Sequence, residues 1–128
     1  MRTIIHTDKA PEAIGPYSQG VCCGELIFTA GQIPLDPASG QLVDGPFEEQ
    51  VDQVLRNLSG ILTAGGSDLD HVIKFTVFLT DLGNFSTLNK VFAKYFADSP
   101  PARSAVQVAA LPLGAEVEIE AVAVKLGA

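Results

Sequence analysis

The sequence predicts a single α+β domain over residues 1–128, built on a mixed six-stranded sheet with two helices on one face. Three observations predict it: two segments with apolar residues at helical spacing, six short β-favouring segments, and Gly or Pro punctuation between them. With 47% of its 128 residues hydrophobic and 18% charged, the chain has material for one core.

Arg2–Thr7 reads as a short strand suited to a sheet edge. Residues 17–23 and 25–33 read as two antiparallel strands with Gly24 at the turn, and Pro34 and Pro37 break the run. Phe47, Val51, Val54, Leu55, Leu58, Ile61 and Leu62 then fall on one helical face, with Asp44 near the start and Gly65-Gly66 past the end. Val72–Leu79 reads as a strand with Ile73, Phe75, Val77 and Leu79 on one face and Lys74 and Thr76 on the other. After a turn at Asp81–Asn84, Phe85, Leu88, Phe92 and Phe96 mark a second helix, with Asn84 as its N-cap and Pro100-Pro101 beyond its end. Residues 102–110 and 116–125 complete the order β-β-β-α-β-α-β-β, as two strands joined by a hairpin-type loop over Leu111–Ala115.

Two helices cover only one face of such a sheet, yet apolar or small residues line both faces, as with Val106 and Val108 opposite Ala105 and Ala109. The simplest cover for the second face is another copy of the chain in a closed symmetric ring. Fifteen acidic residues against eight Lys plus Arg give a formal charge of -7 with no basic run, which argues against a nucleic-acid partner. The start of the chain lacks the apolar run of a secretory leader, and no stretch is long enough to span a membrane; a soluble, cytoplasmic protein with no membrane partner is expected. Cys22 and Cys23 are adjacent and point to opposite faces of a strand, so they read as reduced thiols.

The chemistry-bearing candidates are few. Arg103 begins a mostly apolar strand, and its planar fork calls for a carboxylate, either of a protein Asp or Glu or of a small-molecule acid. Glu116, Glu118 and Glu120 line one strand face that Val122 and Val124 continue, so Glu120 is the carboxylate expected to be driven inward and to have a raised pKa, with Glu116 solvated. Gly15–Gly20 gathers a phenol, a hydroxyl and an amide that suit either a polar pocket wall or an ordinary strand entry, and Asn89 lies one turn beyond Phe85 at the rim of the apolar stripe. There is no Cys/His metal spacing, no G-x-S-x-G and no phosphate-loop lysine, and His6 and His71 fall on separate elements; no metal and no nucleotide cofactor are expected.

The run Ala13-Ile14-Gly15-Pro16-Tyr17-Ser18-Gln19-Gly20, then Gly31-Gln32-Ile33-Pro34, resembles the Rid (reactive intermediate deaminase, YjgF-like) family. Pro101–Val108, Leu111-Pro112 and Val117-Glu118-Ile119-Glu120-Ala121 resemble its C-terminal signature, so the likeness covers nearly the whole chain. The resemblance implies a chorismate-mutase-like fold, a homotrimer with sheets facing inward and three clefts between subunits. It also implies hydrolysis, without a cofactor, of 2-imino acids such as 2-iminobutanoate and 2-iminopropanoate to 2-keto acids and ammonia. In that reading Arg103 binds the substrate carboxylate, Glu120 holds the attacking water, and Tyr17, Gly31, Ala105, Asn89 and Phe85 complete the pocket. Many relatives carry serine where this chain has Ala30 and cysteine where it has Ala105, which bears on substrate range and on thiol chemistry. Two other readings stay open: a trimer that binds small carboxylates without turnover, and a ribonuclease or translation inhibitor, which the acidic charge disfavours.

Overall fold

The computed structural model describes residues 1–127. Six strands, β1 (Arg2–Ile5), β2 (Gly20–Cys23), β3 (Leu26–Thr29), β4 (Val72–Leu79), β5 (Ala102–Gln107) and β6 (Val117–Val124), form one sheet in the order β1-β2-β3-β6-β4-β5. Helices α1 (Phe47–Ala64) and α2 (Phe85–Tyr95) pack on the same face, and β4 and β5, which flank α2 in sequence, are the parallel pair in an otherwise antiparallel sheet. The expected α+β class, element order and edge position of β1 therefore hold.

The core lies between sheet and helices. Val51, Val54, Leu55, Leu58, Ile61 and Leu62 of α1 and Leu88 of α2 are wholly buried against Ile27, Phe75, Val77, Leu79, Val117 and Ile119. Phe75, Phe92 and Phe96 pack edge-on or tilted within it at centroid distances of 5.3–5.5 Å. Across the outer helix surface the Tyr95 hydroxyl donates to Asp52, which also pairs with Arg56 at 2.9 Å, tying α2 to α1. The opposite sheet face leaves Ile4, Phe28, Ile73 and Val106 exposed in the single chain, as the two-faced apolar patterning required.

Several local expectations are corrected. The loop over Leu111–Ala115 does not close a hairpin: β4 lies between β5 and β6, because β5 pairs in parallel with β4 while β6 pairs antiparallel with both β3 and β4. Ile73 does not share a face with Phe75, because a bulge between Val72 and Lys74 leaves it unpaired and points it outward while Val72 turns in. Asn84 occupies the N-cap position of α2 but makes no side-chain cap bond. Gly66, at φ 90°, ends α1: its N–H reaches the Thr63 carbonyl and that of Ser67 the Leu62 carbonyl, a Schellman closure.

Both central hairpin strands are shorter than read, and the reason lies in what positions the site. Gln19, 2% exposed, leaves the strand path to grip the N-terminal segment: its amide donates to the carbonyls of Thr7 (3.0 Å), Ala10 (3.3 Å) and Pro11 (2.8 Å) and accepts from the Thr7 N–H at 2.7 Å. The wholly buried Asn57 of α1 donates to the Leu35 carbonyl at 2.9 Å and so pins the segment after β3. Gln19→Ala should cost about 2–4 kcal/mol, since it strips several buried carbonyl and N–H groups of their partner. Urea unfolding measures this, and a loss under about 1 kcal/mol would mean the segment is held by packing alone.

Candidate functional site

The predicted site residues fall into two groups on opposite faces of the sheet. Parallel pairing sets Arg103 beside Phe75 and Ala105 beside Val77, on the face that the helices cover. The Arg103 guanidinium lies over two rings of α2, 5.4 Å from the Phe85 centroid and 5.0 Å from that of Phe92, and donates to Asn89 Oδ1 at 2.7 Å. Phe85 and Asn89 lie one helical turn apart, and this is why both reach the same guanidinium. A cleft of about 490 Å³ opens here, lined by Asn89, Phe92, Phe96, Pro100, Pro101 and Arg103 among others. Partial burial lowers the Arg103 pKa from its ordinary value, yet among the described residues no carboxylate lies within ion-pair distance of it. Of the two partners open from sequence, a protein carboxylate is thus not the one this chain supplies. Asn89 and the two rings are the partners the guanidinium has in the chain itself.

The second group gathers at the start of β6. Gln32 and Ile119 exchange backbone hydrogen bonds of 2.9 and 3.0 Å, and this bridge lays Gly31 beside Glu118. A Cβ on Gly31 would lie 2.5 Å from Glu118 Oε2, so glycine is what admits the carboxylate. Tyr17, Ala30, Gly31, Ile33 and Glu118 line a cavity of about 510 Å³ that the N-terminal segment held by Gln19 walls on one side. The Tyr17 hydroxyl accepts from the Ile14 N–H at 3.2 Å, which leaves its own proton to donate.

Here one expectation is corrected. Burial falls on Glu118, not on Glu120: desolvation, with the neighbouring Glu120 charge as a second cause, raises the Glu118 pKa above the ordinary carboxylate value. Glu120 is exposed, pairs with Thr76 in the middle of the uncovered face and lines neither cleft. Alternation had put both carboxylates on that face; the bridge from Gln32 to Ile119, a contact between distant segments, decides which one is enclosed. Phe92 was legible only as core, although its ring also carries Arg103. Ala105 packs against the core two residues along from Arg103.

An open sheet backed by two helices, with a cleft at each face that sets a few polar side chains among apolar ones, defines a small α+β protein. Residues 7–125 match the model of the family described as Endoribonuclease L-PSP. Over 125 residues the chain is 53% identical to the 2-iminobutanoate/2-iminopropanoate deaminase of Mus musculus, covering 98% of this chain and 93% of that one. It is 52% identical to Protein DfrA of Myxococcus xanthus, over 96% of this chain and 95% of that one. A crystal structure from Thermotoga maritima superposes with a TM-score of 0.95 at 54% identity, covering 99% of this chain and all of that one. The chain belongs to this family, the Rid (YjgF-like) proteins.

Among the described residues no helix is long and apolar enough to cross a membrane, and no group of three or more His, Cys, Asp or Glu side chains is placed to hold a metal ion.

Proposed function

We propose that the protein hydrolyses 2-imino acids, 2-iminobutanoate and 2-iminopropanoate among them, to 2-keto acids and ammonia in clefts shared between the copies of a homotrimer. The observation that carries the proposal is the pair of half-sites: an anion-seeking Arg103 on one sheet face and a partly buried Glu118 carboxyl on the other. Because the two lie on opposite sheet faces of one chain, the proposal joins the Arg103 of one copy to the Glu118 of another packed on the exposed apolar face. The mammalian relatives that bear the deaminase name support the substrate class.

Arg103 binds the substrate carboxylate bidentately, with Asn89 and the Phe85 and Phe92 rings fixing its plane. The protonated imine is already electrophilic, so orientation and proton handling remain to be supplied. Glu118 takes a proton from water as its oxygen bonds to the imine carbon and the C=N electron pair moves to nitrogen. Glu118 then gives that proton to nitrogen, and as the C–N bond breaks and ammonia leaves, the Glu118 carboxylate takes the hydroxyl proton and the oxygen becomes the keto oxygen. Tyr17 donates to the developing amino-alcohol. In this scheme Glu118 takes the part that the resemblance had given to Glu120.

The test generates the imine from threonine with a dehydratase in the presence of semicarbazide. Wild-type protein should divert imine to free keto acid, and an unchanged trapped fraction with both small and bulky imino acids would overturn the proposal. If keto acids bind but nothing is turned over, the non-catalytic carboxylate-binding trimer is the correct reading. Salt-sensitive RNA cleavage would support the ribonuclease instead, against the charge of -7. Gly31→Ala should lower kcat/KM about 100-fold by displacing the Glu118 carboxylate, in line with the cost of a misplacement of about 1 Å. Activity within about threefold of wild type would remove Glu118 from the mechanism.

A further inference from the structure

Leu113 is the one non-glycine residue with left-handed backbone among the described residues, at φ 59°, and Gly114 follows at φ 74°. Leucine seldom adopts this conformation, and such outliers gather where a side chain must be held in a set position. The strained turn holds the Leu113 side chain 64% exposed at the cavity that also contains Tyr17 and Glu118. Ile14, 72% exposed, lines the same cavity from the N-terminal segment, and Ile33, Leu35 and Pro112 extend its apolar wall. The space, about 510 Å³, falls within the range of about 300–1,000 Å³ that takes drug-sized ligands, far more than a three-carbon acid fills.

We infer that Leu113 and Ile14 form the subsite for the substrate's side chain, so that this protein selects 2-imino acids with branched or extended aliphatic chains over 2-iminopropanoate. The inference rests on the imine-hydrolase reading and adds to it where the chain beyond C2 goes. The polar end of the cavity, Tyr17 and Glu118, faces the reacting carbon, and the apolar rim is left for the hydrocarbon. A leucine-sized chain gains contacts there that a methyl group does not reach.

The experiment makes imines in situ from leucine and from alanine with an amino-acid oxidase and measures semicarbazide-competed turnover by wild type, Leu113→Asn and Ile14→Ser. Asparagine tolerates positive φ, so Leu113→Asn removes the hydrocarbon while relieving strain and should leave Tm unchanged or raised. Wild type should favour the leucine-derived imine by about tenfold in kcat/KM, and Leu113→Asn should reduce that ratio about tenfold. A wild type that prefers the alanine-derived imine, or a Leu113→Asn ratio within about twofold of wild type, overturns the inference while the hydrolase reading stands. If neither imine is turned over, the hydrolase reading fails and the inference falls with it.

Discussion

Replacing Arg103 by alanine is expected to lower kcat/KM for 2-imino acids by about 30–1,000-fold, the equivalent of about 2–4 kcal/mol for losing one partner of a desolvated, charge-assisted pair. The fold should persist, because Arg103 lies on the edge strand β5 and, among the described residues, its guanidinium bonds to a single side chain, that of Asn89. Arg103→Lys keeps the charge but not the fork, and should recover only part of the loss. Steady-state kinetics with circular dichroism as the folding control decides the matter. Full activity in Arg103→Ala would mean that the substrate carboxylate is held elsewhere.

The second large effect is on kcat. Glu118→Gln removes the proton acceptor and should reduce kcat by about 100–10,000-fold, whereas Glu120→Gln, altering an exposed carboxylate outside both clefts, should change it far less. Because the Glu118 pKa is raised, the rate should fall with acidification through a pKa above the ordinary carboxylate value of 4.5, and the limb should move lower in Glu120→Gln as the neighbouring charge disappears. The stability consequence has the opposite sign from activity. A carboxyl with a raised folded-state pKa is fully tolerated below its unfolded value and destabilises the fold as pH rises through the folded one. Glu118→Gln should therefore unfold at a higher temperature than wild type at neutral pH, and the difference should vanish in acid. Equal Tm values at both pH values would show that Glu118 carries no burial cost.

Elements marked by periodicity were legible in the sequence: α1, α2 and β4 stand where the apolar spacing placed them, and Gly24 and Gly65-Gly66 mark real turns. Spacing along the chain does not encode which strands pair. The insertion of β4 between β5 and β6, the bulge at Ile73 and the bridge from Gln32 to Ile119 all arise from contacts between distant segments. The candidate site divides in the same way. Arg103, Asn89 and Phe85 form a local group of one helix turn and one strand start, and motif reading found all three. Gln19 reads as the amide of either a pocket wall or a strand entry, and neither reading contains its grip on the carbonyls of Thr7, Ala10 and Pro11. The choice between Glu118 and Glu120 turned on a tertiary contact at Gly31, to which the alternation of the strand is blind.

The central claim is that each site is shared between copies, and subunit mixing tests it. Arg103→Ala and Glu118→Gln proteins, each nearly inactive alone, are unfolded together in equal amounts and refolded, and hybrid trimers are identified by native mass spectrometry. In a random ring about a quarter of the clefts pair an intact Arg103 with an intact Glu118, so about a quarter of wild-type activity should return. Hybrid trimers with no more activity than the two parents would place both residues' work within one chain and contradict the account.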